Sequence, residues 1–246
     1  MTISKHSPIF VAQDLLETRY KGAEVIFVAG SVMRGEAVAH SDLDLVIVYP
    51  HLAQAYRESF YRKEWPVEAF VHDPQTMHYF FEKIDTPEAS STLAEMVFEG
   101  LEVPGPSEVS LQLKSMAQAV LQQGPPPMTG EQNKDLRYHI SELLDDIREP
   151  RNRQEQIASG VLIYNELMNF YFRSRNIWTS HGKIGFRKLK KVDAKLAMRF
   201  SEAFDLLFAS GQAPKVVEIA QEILEPQGGF LFDGYERKVP ATWRIS

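Results

Sequence analysis

The strongest constraint on the fold of this chain is a run of three prolines near its middle. The run, Pro125-Pro126-Pro127, follows Gln122-Gln123-Gly124. Consecutive prolines cannot continue a helix and favour an extended spacer. Before the run, short β-branched segments alternate with helix-like segments, whereas after it the apolar spacing is helical almost throughout. The 246 residues therefore predict two units, 1–126 and 127–246.

The first half is predicted to mix strands and helices. Short apolar runs indicate strands at 23–29, 42–49 and 67–72. Residues 30–41 are expected to form a loop with one helical turn. Helices are predicted at 52–63, 74–83, 89–98 and 106–122, and a first helix begins at Ser7-Pro8, an N-cap followed by a proline.

The second half is predicted to be a helical bundle. Apolar residues recur at helical spacing in 130–148, and further helices are expected at 154–175, 194–209 and 214–224. The expected fold class is therefore α+β: a small mixed β-sheet with helices, followed by an α-helical bundle domain.

Composition excludes several kinds of chemistry. The chain has no cysteine, which rules out disulfides, thiolate metal sites and a cysteine nucleophile within it. Its beginning lacks the apolar segment of a signal peptide, and no apolar run approaches the roughly 18 residues that span a bilayer. We expect a cytoplasmic protein that does not enter a membrane.

The net charge of −6 is divided unevenly along the chain. Residues 1–128 hold nine Lys and Arg against 17 Asp and Glu, whereas residues 129–246 hold 18 against 16. An acidic chain argues against general nucleic-acid binding. Residues 183–199 carry seven Lys and Arg and one Asp. This basic stretch is either a solvated helix face or a phosphate-binding surface.

The most informative residues lie between the first two predicted strands. The first strand ends at Gly30-Ser31, where glycine permits close backbone approach and serine adds a hydroxyl. The next strand begins with Asp42 and Asp44, which share one face because side chains alternate along a strand. Two adjacent carboxylates repel each other unless a cation compensates them, and Mg²⁺ suits such all-oxygen ligands.

A third carboxylate is expected from the third strand. Glu68 alternates with Val67 and Ala69, so it points away from the core and toward the face that carries the aspartates. Asp73 is the competing choice, but it precedes Pro74 at the strand end, where an acidic turn residue is expected.

This constellation resembles the DNA polymerase β-like nucleotidyltransferase superfamily. The resemblance covers roughly residues 22–73. It is carried by Gly30-Ser31, an arginine at 34, the Ser41-Asp42-Leu43-Asp44 segment before an apolar strand, and Glu68.

The resemblance implies transfer of a nucleoside monophosphate, in the typical case AMP from ATP, to an acceptor hydroxyl with release of pyrophosphate. It implies that Asp42, Asp44 and Glu68 hold two Mg²⁺ ions, with Glu68 as a metal ligand or a general base. Gly30, Ser31 and Arg34 are then expected to contact the phosphates.

The second half resembles bacterial two-domain nucleotidyltransferases, and its layout is similar to that of aminoglycoside nucleotidyltransferases. The similar segments are 136–146, 182–189 and 228–235. Lys183 and Arg187, four residues apart, are candidates for binding the triphosphate.

A polar stripe on the predicted helix 130–148 is the candidate acceptor site. Its members include His139, Glu142 and Asp146, together with Asp135 and Glu149. The stripe is either a solvated face or an anionic wall for a cationic, small hydroxylated acceptor. A protein or RNA acceptor, and a catalytically silent nucleotide-binding module, are the alternatives.

Overall fold

The computed structural model describes residues 6–244, which divide into two compact units. Unit 1 is Met1–Gly124 and unit 2 is Pro125–Ser246. The division falls where a helix ends at Gln123 and the proline run begins, two residues before the predicted boundary.

Unit 1 is built on a five-stranded mixed sheet with the order β3-β4-β2-β1-β5. The pair β2–β4 is parallel, and the other three pairs are antiparallel. The strands are β1 Val25–Ala29, β2 Leu43–Val48, β3 Tyr56–Arg62, β4 Trp65–His72 and β5 Leu101–Val103.

Helices cover both faces of this sheet, so its central strands are apolar on both sides. The helices of unit 1 are α1 Pro8–Thr18, α2 Gly30–Met33, α3 Pro74–Tyr79, α4 Thr92–Glu99 and α5 Glu108–Gln123, and a π-helical turn spans Phe80–Asp85. Helix α1 packs on one face, beside Leu45 and Val67. The other face, with Val46 and Val48, packs against α4 and α5.

One predicted element of unit 1 is wrong. Residues 52–63 do not form a helix; strand β3 occupies Tyr56–Arg62 and forms a hairpin with β4. The turn residues Lys63 and Glu64 both have positive φ angles, of 44° and 68°. Such a hairpin turn is usually signalled by Asn-Gly or Asp-Gly, and Lys-Glu carries no such signal. The sequence also does not predict the three-residue strand β5.

Unit 2 is helical, as the sequence predicts. Its helices are α6 Gly130–Arg148, α7 Arg153–Arg173, α8 Gly182–Val192, α9 Ala194–Ser210 and α10 Pro214–Leu224. They enclose a separate core that includes Ile140, Phe170, Phe200 and Ile219. The α+β prediction, a mixed sheet with helices followed by a helical bundle, is therefore confirmed. No helix in residues 6–244 is long and apolar enough to cross a bilayer.

The segment after α10 runs back along α6. The Arg137 side chain donates to the carbonyl oxygens of Gly228 and Gly229, and the Tyr138 ring stacks on Tyr235 with centroids 3.9 Å apart. The Leu231 backbone N–H donates to the Ser141 hydroxyl at 3.0 Å. These contacts hold the C-terminal segment on the helix that carries the predicted polar stripe.

Candidate functional site

Three carboxylates converge at one end of the sheet in unit 1. Asp42, Asp44 and Glu68 each offer an oxygen, and these oxygens all lie within 4.8 Å of one another. The pairing of β2 with β4 explains this geometry, because Asp44 stands opposite Glu68 in the parallel register. None of the three side chains is buried, so the cluster is open to solvent.

Alternation places the cluster on the sheet face that α4 and α5 cover elsewhere. Asp44 lies on the same side of β2 as Val46 and Val48, and Glu68 lies on the same side of β4 as Phe70. Asp42 stands two residues before Asp44 and therefore faces the same way. The apolar residues anchor the strands, and the acids occupy the exposed end of that face.

Gly30 abuts the cluster. Its neighbour Ala29 pairs with Asp44 across β1 and β2, and Gly30 itself has a φ of +77°. A Cβ atom at Gly30 would lie 1.9 Å from Asp44 Oδ2. Any side chain at position 30 would displace the Asp44 carboxylate. Glycine is also the residue that adopts this backbone conformation without strain.

The loop between β1 and β2 is tied together by two serines. Ser31 Oγ donates to Ser41 Oγ at 3.4 Å, and the Val38 backbone N–H donates to the same Ser41 oxygen at 2.9 Å. Among the described residues, no side chain caps helix α2 at its beginning. The first turn of α2 thus presents backbone N–H groups next to the Ser31 hydroxyl, beside the carboxylates.

Arg34 follows α2 and faces two acids. Its Nε lies 3.3 Å from Glu36, and its Nη1 lies 3.5 Å from Glu99. The guanidinium is about one third exposed. These ion pairs hold it over the loop, and its role toward a phosphate stays a prediction.

Arg57 lies beside the carboxylate cluster, although the sequence pattern does not indicate it as a site residue. Its Nη2 forms an ion pair with Glu68 Oε1, and its guanidinium lies 4.9 Å from the Phe70 ring centre. It brings a positive charge to the edge of the carboxylate cluster. Because residues 52–63 were predicted as a helix, nothing indicated that residue 57 lies on the strand next to Glu68.

Asp73 does not join the cluster. It caps helix α3, accepting from the Thr76 backbone N–H at 2.7 Å and the Leu52 N–H at 2.8 Å. Burial opposes its ionisation, but these backbone hydrogen bonds hold its pKa below the ordinary value. The structure thus brings Glu68, and not Asp73, beside Asp42 and Asp44.

The predicted residues of unit 2 lie on two helices. Lys183 and Arg187 are one turn apart on α8. The Asn165 side chain holds the beginning of this helix, because its amide oxygen accepts from the Gly182 backbone N–H. Lys183 is exposed and Arg187 is half-buried.

The acids of the predicted stripe on α6 have partners inside unit 2. Glu142 accepts from the Tyr138 hydroxyl at 2.8 Å, and Asp146 accepts from Ser159 at 3.2 Å. Asp135 accepts from the Tyr235 hydroxyl at 2.8 Å. His139 is exposed on the same helix. Their function as an acceptor site stays a prediction.

A comparison with protein families identifies the first unit. Residues 12–98 match the family model described as "nucleotidyltransferase domain". These residues form a nucleotidyltransferase domain. The nucleotidyltransferase domain contains the Gly30-Ser31 turn, the three carboxylates and Arg57. The predicted resemblance and the expectation of a nucleotidyltransferase enzyme are thereby confirmed.

Comparisons with solved structures and with curated proteins were also made for the whole chain. The chain is similar to a solved nucleotidyltransferase-like protein from Exiguobacterium sibiricum, with 11% sequence identity and a TM-score of 0.41. That match covers 87% of this chain and 73% of the other. A search among curated proteins found no match to this chain.

Proposed function

We propose that this nucleotidyltransferase uses Mg²⁺ to transfer AMP from ATP to a hydroxyl of a small acceptor, with release of pyrophosphate. The observation that carries the proposal is the convergence of Asp42, Asp44 and Glu68 within 4.8 Å, next to a glycine that no other residue can replace without a clash.

The carboxylate cluster fits divalent metal ions. Three hard oxygen donors lie together on two adjacent strands, and this donor set matches the preference of Mg²⁺. Asp42, Asp44 and Glu68 would hold two such ions. When bound, the ions would supply charge neutralisation at the phosphate oxygens.

The chain's own residues then bind and orient the reactants. The backbone N–H groups after Gly30 and the Ser31 hydroxyl donate to phosphate oxygens, and Arg34 adds a guanidinium. The acceptor oxygen attacks the α-phosphorus while the bond from that phosphorus to the pyrophosphate oxygen breaks. The hydroxyl proton passes to a base, for which Glu68 is our candidate if its carboxylate is not taken up as a metal ligand.

Unit 2 is proposed to complete substrate binding. Lys183 and Arg187 would neutralise the charge of the triphosphate and of the departing pyrophosphate. His139, Glu142 and Asp146 would contact a cationic acceptor. This acceptor class rests on the acidic stripe and on a layout similar to that of aminoglycoside nucleotidyltransferases.

The direct test is pyrophosphate release from ATP and Mg²⁺ with a panel of acceptors: aminoglycosides, tRNA and cell-lysate protein. We expect turnover with a small acceptor and a loss of more than about 100-fold in Asp44→Asn, because several kcal/mol of charge stabilisation would be lost. Glu88→Gln, an exposed acid in the same unit, is the matched control and is expected to keep full activity. Full activity in Asp44→Asn would contradict the metal assignment.

Metal binding can be measured separately from turnover. Calorimetric titration with Mn²⁺ in place of Mg²⁺ is expected to show binding to the wild-type protein and to Glu88→Gln, but much weaker binding to Asp44→Asn. Metal and ATP binding without transfer to any acceptor would favour a silent module. Transfer to tRNA or protein alone would replace the small acceptor by a macromolecule.

A further inference from the structure

An open cavity in unit 2 lies where helix α6 begins and helix α7 ends. Its volume is about 540 Å³. The lining contains two arginines, Arg173 and Arg175, and no acid. The lining therefore carries positive charge only, in a half of the chain whose 18 basic and 16 acidic side chains at 129–246 nearly balance.

The Arg175 guanidinium is held in place before any ligand arrives. It lies over the Tyr171 ring, 4.0 Å from the ring centre, and its Nη1 donates to the Tyr171 carbonyl at 3.3 Å and to Ser174 Oγ at 3.1 Å. These three contacts restrict the Arg175 side chain at the wall of the cavity. Such fixation lowers the entropy lost on binding.

The Arg173 guanidinium is half-buried without a counter-charge. Its Nη1 donates to the Pro126 carbonyl at 2.9 Å. Within residues 6–244, no carboxylate lies within ion-pair distance of Arg173 or Arg175, whereas several other arginines of unit 2 have an acidic partner. Burial without an offsetting negative charge lowers the pKa of Arg173. An anion would supply the missing charge.

Neutral polar groups complete the wall. Thr129 caps α6, and the Asn133 amide donates to Gln227 Oε1 at 3.3 Å, which joins α6 to the turn after α10. Both the amide oxygen of Asn133 and the amide nitrogen of Gln227 keep hydrogen-bonding capacity. A ligand that bears hydroxyl groups as well as negative charge would match this lining.

We propose that this cavity binds a small phosphate monoester through Arg173 and Arg175. A phosphate monoester carries close to two negative charges at neutral pH, which matches two guanidinium groups, whereas a single carboxylate would neutralise only one. The volume exceeds what a bare phosphate needs and leaves room for a small polar body. The inference does not depend on the proposed nucleotidyl transfer, because none of the residues that line this cavity is assigned to that reaction.

Calorimetric titration of the full chain with ribose 5-phosphate, in EDTA and without nucleotide, tests the proposal. EDTA removes divalent metals, so the carboxylate cluster does not contribute. We expect saturable binding that weakens roughly 10- to 100-fold in Arg175→Gln, the size of a lost charged hydrogen bond. Arg151→Gln, which removes an exposed arginine outside this cavity, is the matched control and should bind like wild type.

Two further variants and a pH series test which groups of the cavity and of the phosphate are responsible for binding. Arg173→Gln should weaken binding to a similar extent, with circular dichroism and a thermal melt as the check on folding. Arg175→Lys should recover only part of the affinity, because lysine lacks the planar fork. Binding should fall between pH 7.5 and 5.5, as the phosphate loses its second charge, whereas sulfate binding should stay constant.

Equal affinity in wild type, Arg175→Gln and Arg173→Gln would overturn the proposal and place the phosphate elsewhere, for example on the basic helix α8. An absence of saturable binding would overturn it as well. Neither result would bear on pyrophosphate release, which is measured with Mg²⁺ and ATP.

Discussion

Gly30 shows how one residue without a side chain shapes the carboxylate cluster. Two requirements meet there: a positive φ of +77° and the close approach of the Asp44 carboxylate. The Gly30-Ser31 pair in the sequence predicts close backbone approach at this point. What the sequence did not reveal is that the group approaching the glycine is the side chain of a predicted metal ligand.

Substituting Gly30 by alanine is expected to impair catalysis more than stability. The new Cβ would displace the Asp44 carboxylate, so turnover should fall more than about tenfold, while the positive φ costs about 1–2 kcal/mol of unfolding free energy. Gly35→Ala is the matched control, because Gly35 has a φ of +70° but no atom within 4 Å of its Cβ position. Urea unfolding and pyrophosphate release separate the two effects; equal activities would contradict the role of Gly30.

His72 is expected to make unit 1 sensitive to acid. Its side chain is 3% exposed, packs edge-on against Phe80 and has no partner for Nδ1 among the described residues. Burial lowers its pKa to about 4, although the charge of Asp73 acts in the opposite direction. Between pH 6.5 and pH 4 the unfolded chain therefore binds a proton that the folded chain does not.

Stability should accordingly fall as the pH is lowered through this window. We expect His72 to account for about 2–3 kcal/mol of unfolding free energy between pH 7.5 and pH 4.5, measured by urea unfolding at both values. His72→Leu should flatten the dependence, whereas His40→Gln, at an exposed loop position, should not. The same pH dependence in His72→Leu and wild type would show that other groups cause it.

The hairpin of β3 and β4 pairs a strand that the local sequence predicts, β4, with a strand that it does not predict, β3. Strand β4 was predicted because Val67, Ala69 and Val71 alternate toward the core. The sequence does not predict strand β3, because its charged, aromatic and small polar residues show no clear alternation of apolar and polar positions. Pairing with β4 decides its conformation, and this pairing brings Arg57 to Glu68.

The turn of this hairpin offers a test at the same scale. Glu64 is exposed and has a φ of 68°, a conformation that asparagine adopts more easily than glutamate. Glu64→Asn should therefore raise the unfolding free energy by about 0.5–1 kcal/mol in urea titrations. Glu64→Ala, which removes the same charge without favouring this conformation, should give no gain; a gain in both variants would point to charge instead of turn geometry.

For the whole molecule, the main feature is the presence of two separate sets of hydrophobic contacts. The cores on both faces of the sheet lie in unit 1, and the core that contains Phe200 lies in unit 2. The uneven charge follows the same division, with the acidic excess in the half that holds the carboxylate cluster. Each unit therefore has its own source of stability.

A core substitution in unit 2 is expected to act mainly within that unit. Phe200 is fully buried and packs against Tyr164 and Phe204, with ring centres 5.0 and 4.6 Å away. Phe200→Ala should cost about 3–5 kcal/mol. Hydrogen exchange should show lost protection in the helices of unit 2, while amides of β1, β2 and β4 keep theirs; equal loss in both units would show that they unfold together.

Local sequence patterns predict a break at the prolines, most of the helices, three of the strands and the three acids of the carboxylate cluster. These are local properties: proline stops a helix, apolar spacing reveals a helix or a strand, and alternation puts Asp42 and Asp44 on one face. Which strands are neighbours depends on contacts that form only in the folded chain. Three features depend on contacts between residues that are distant in the sequence: the conformation of strand β3, the ion pair of Arg57 with Glu68, and the cavity where α6 begins and α7 ends. No local sequence pattern relates the residues that make these contacts.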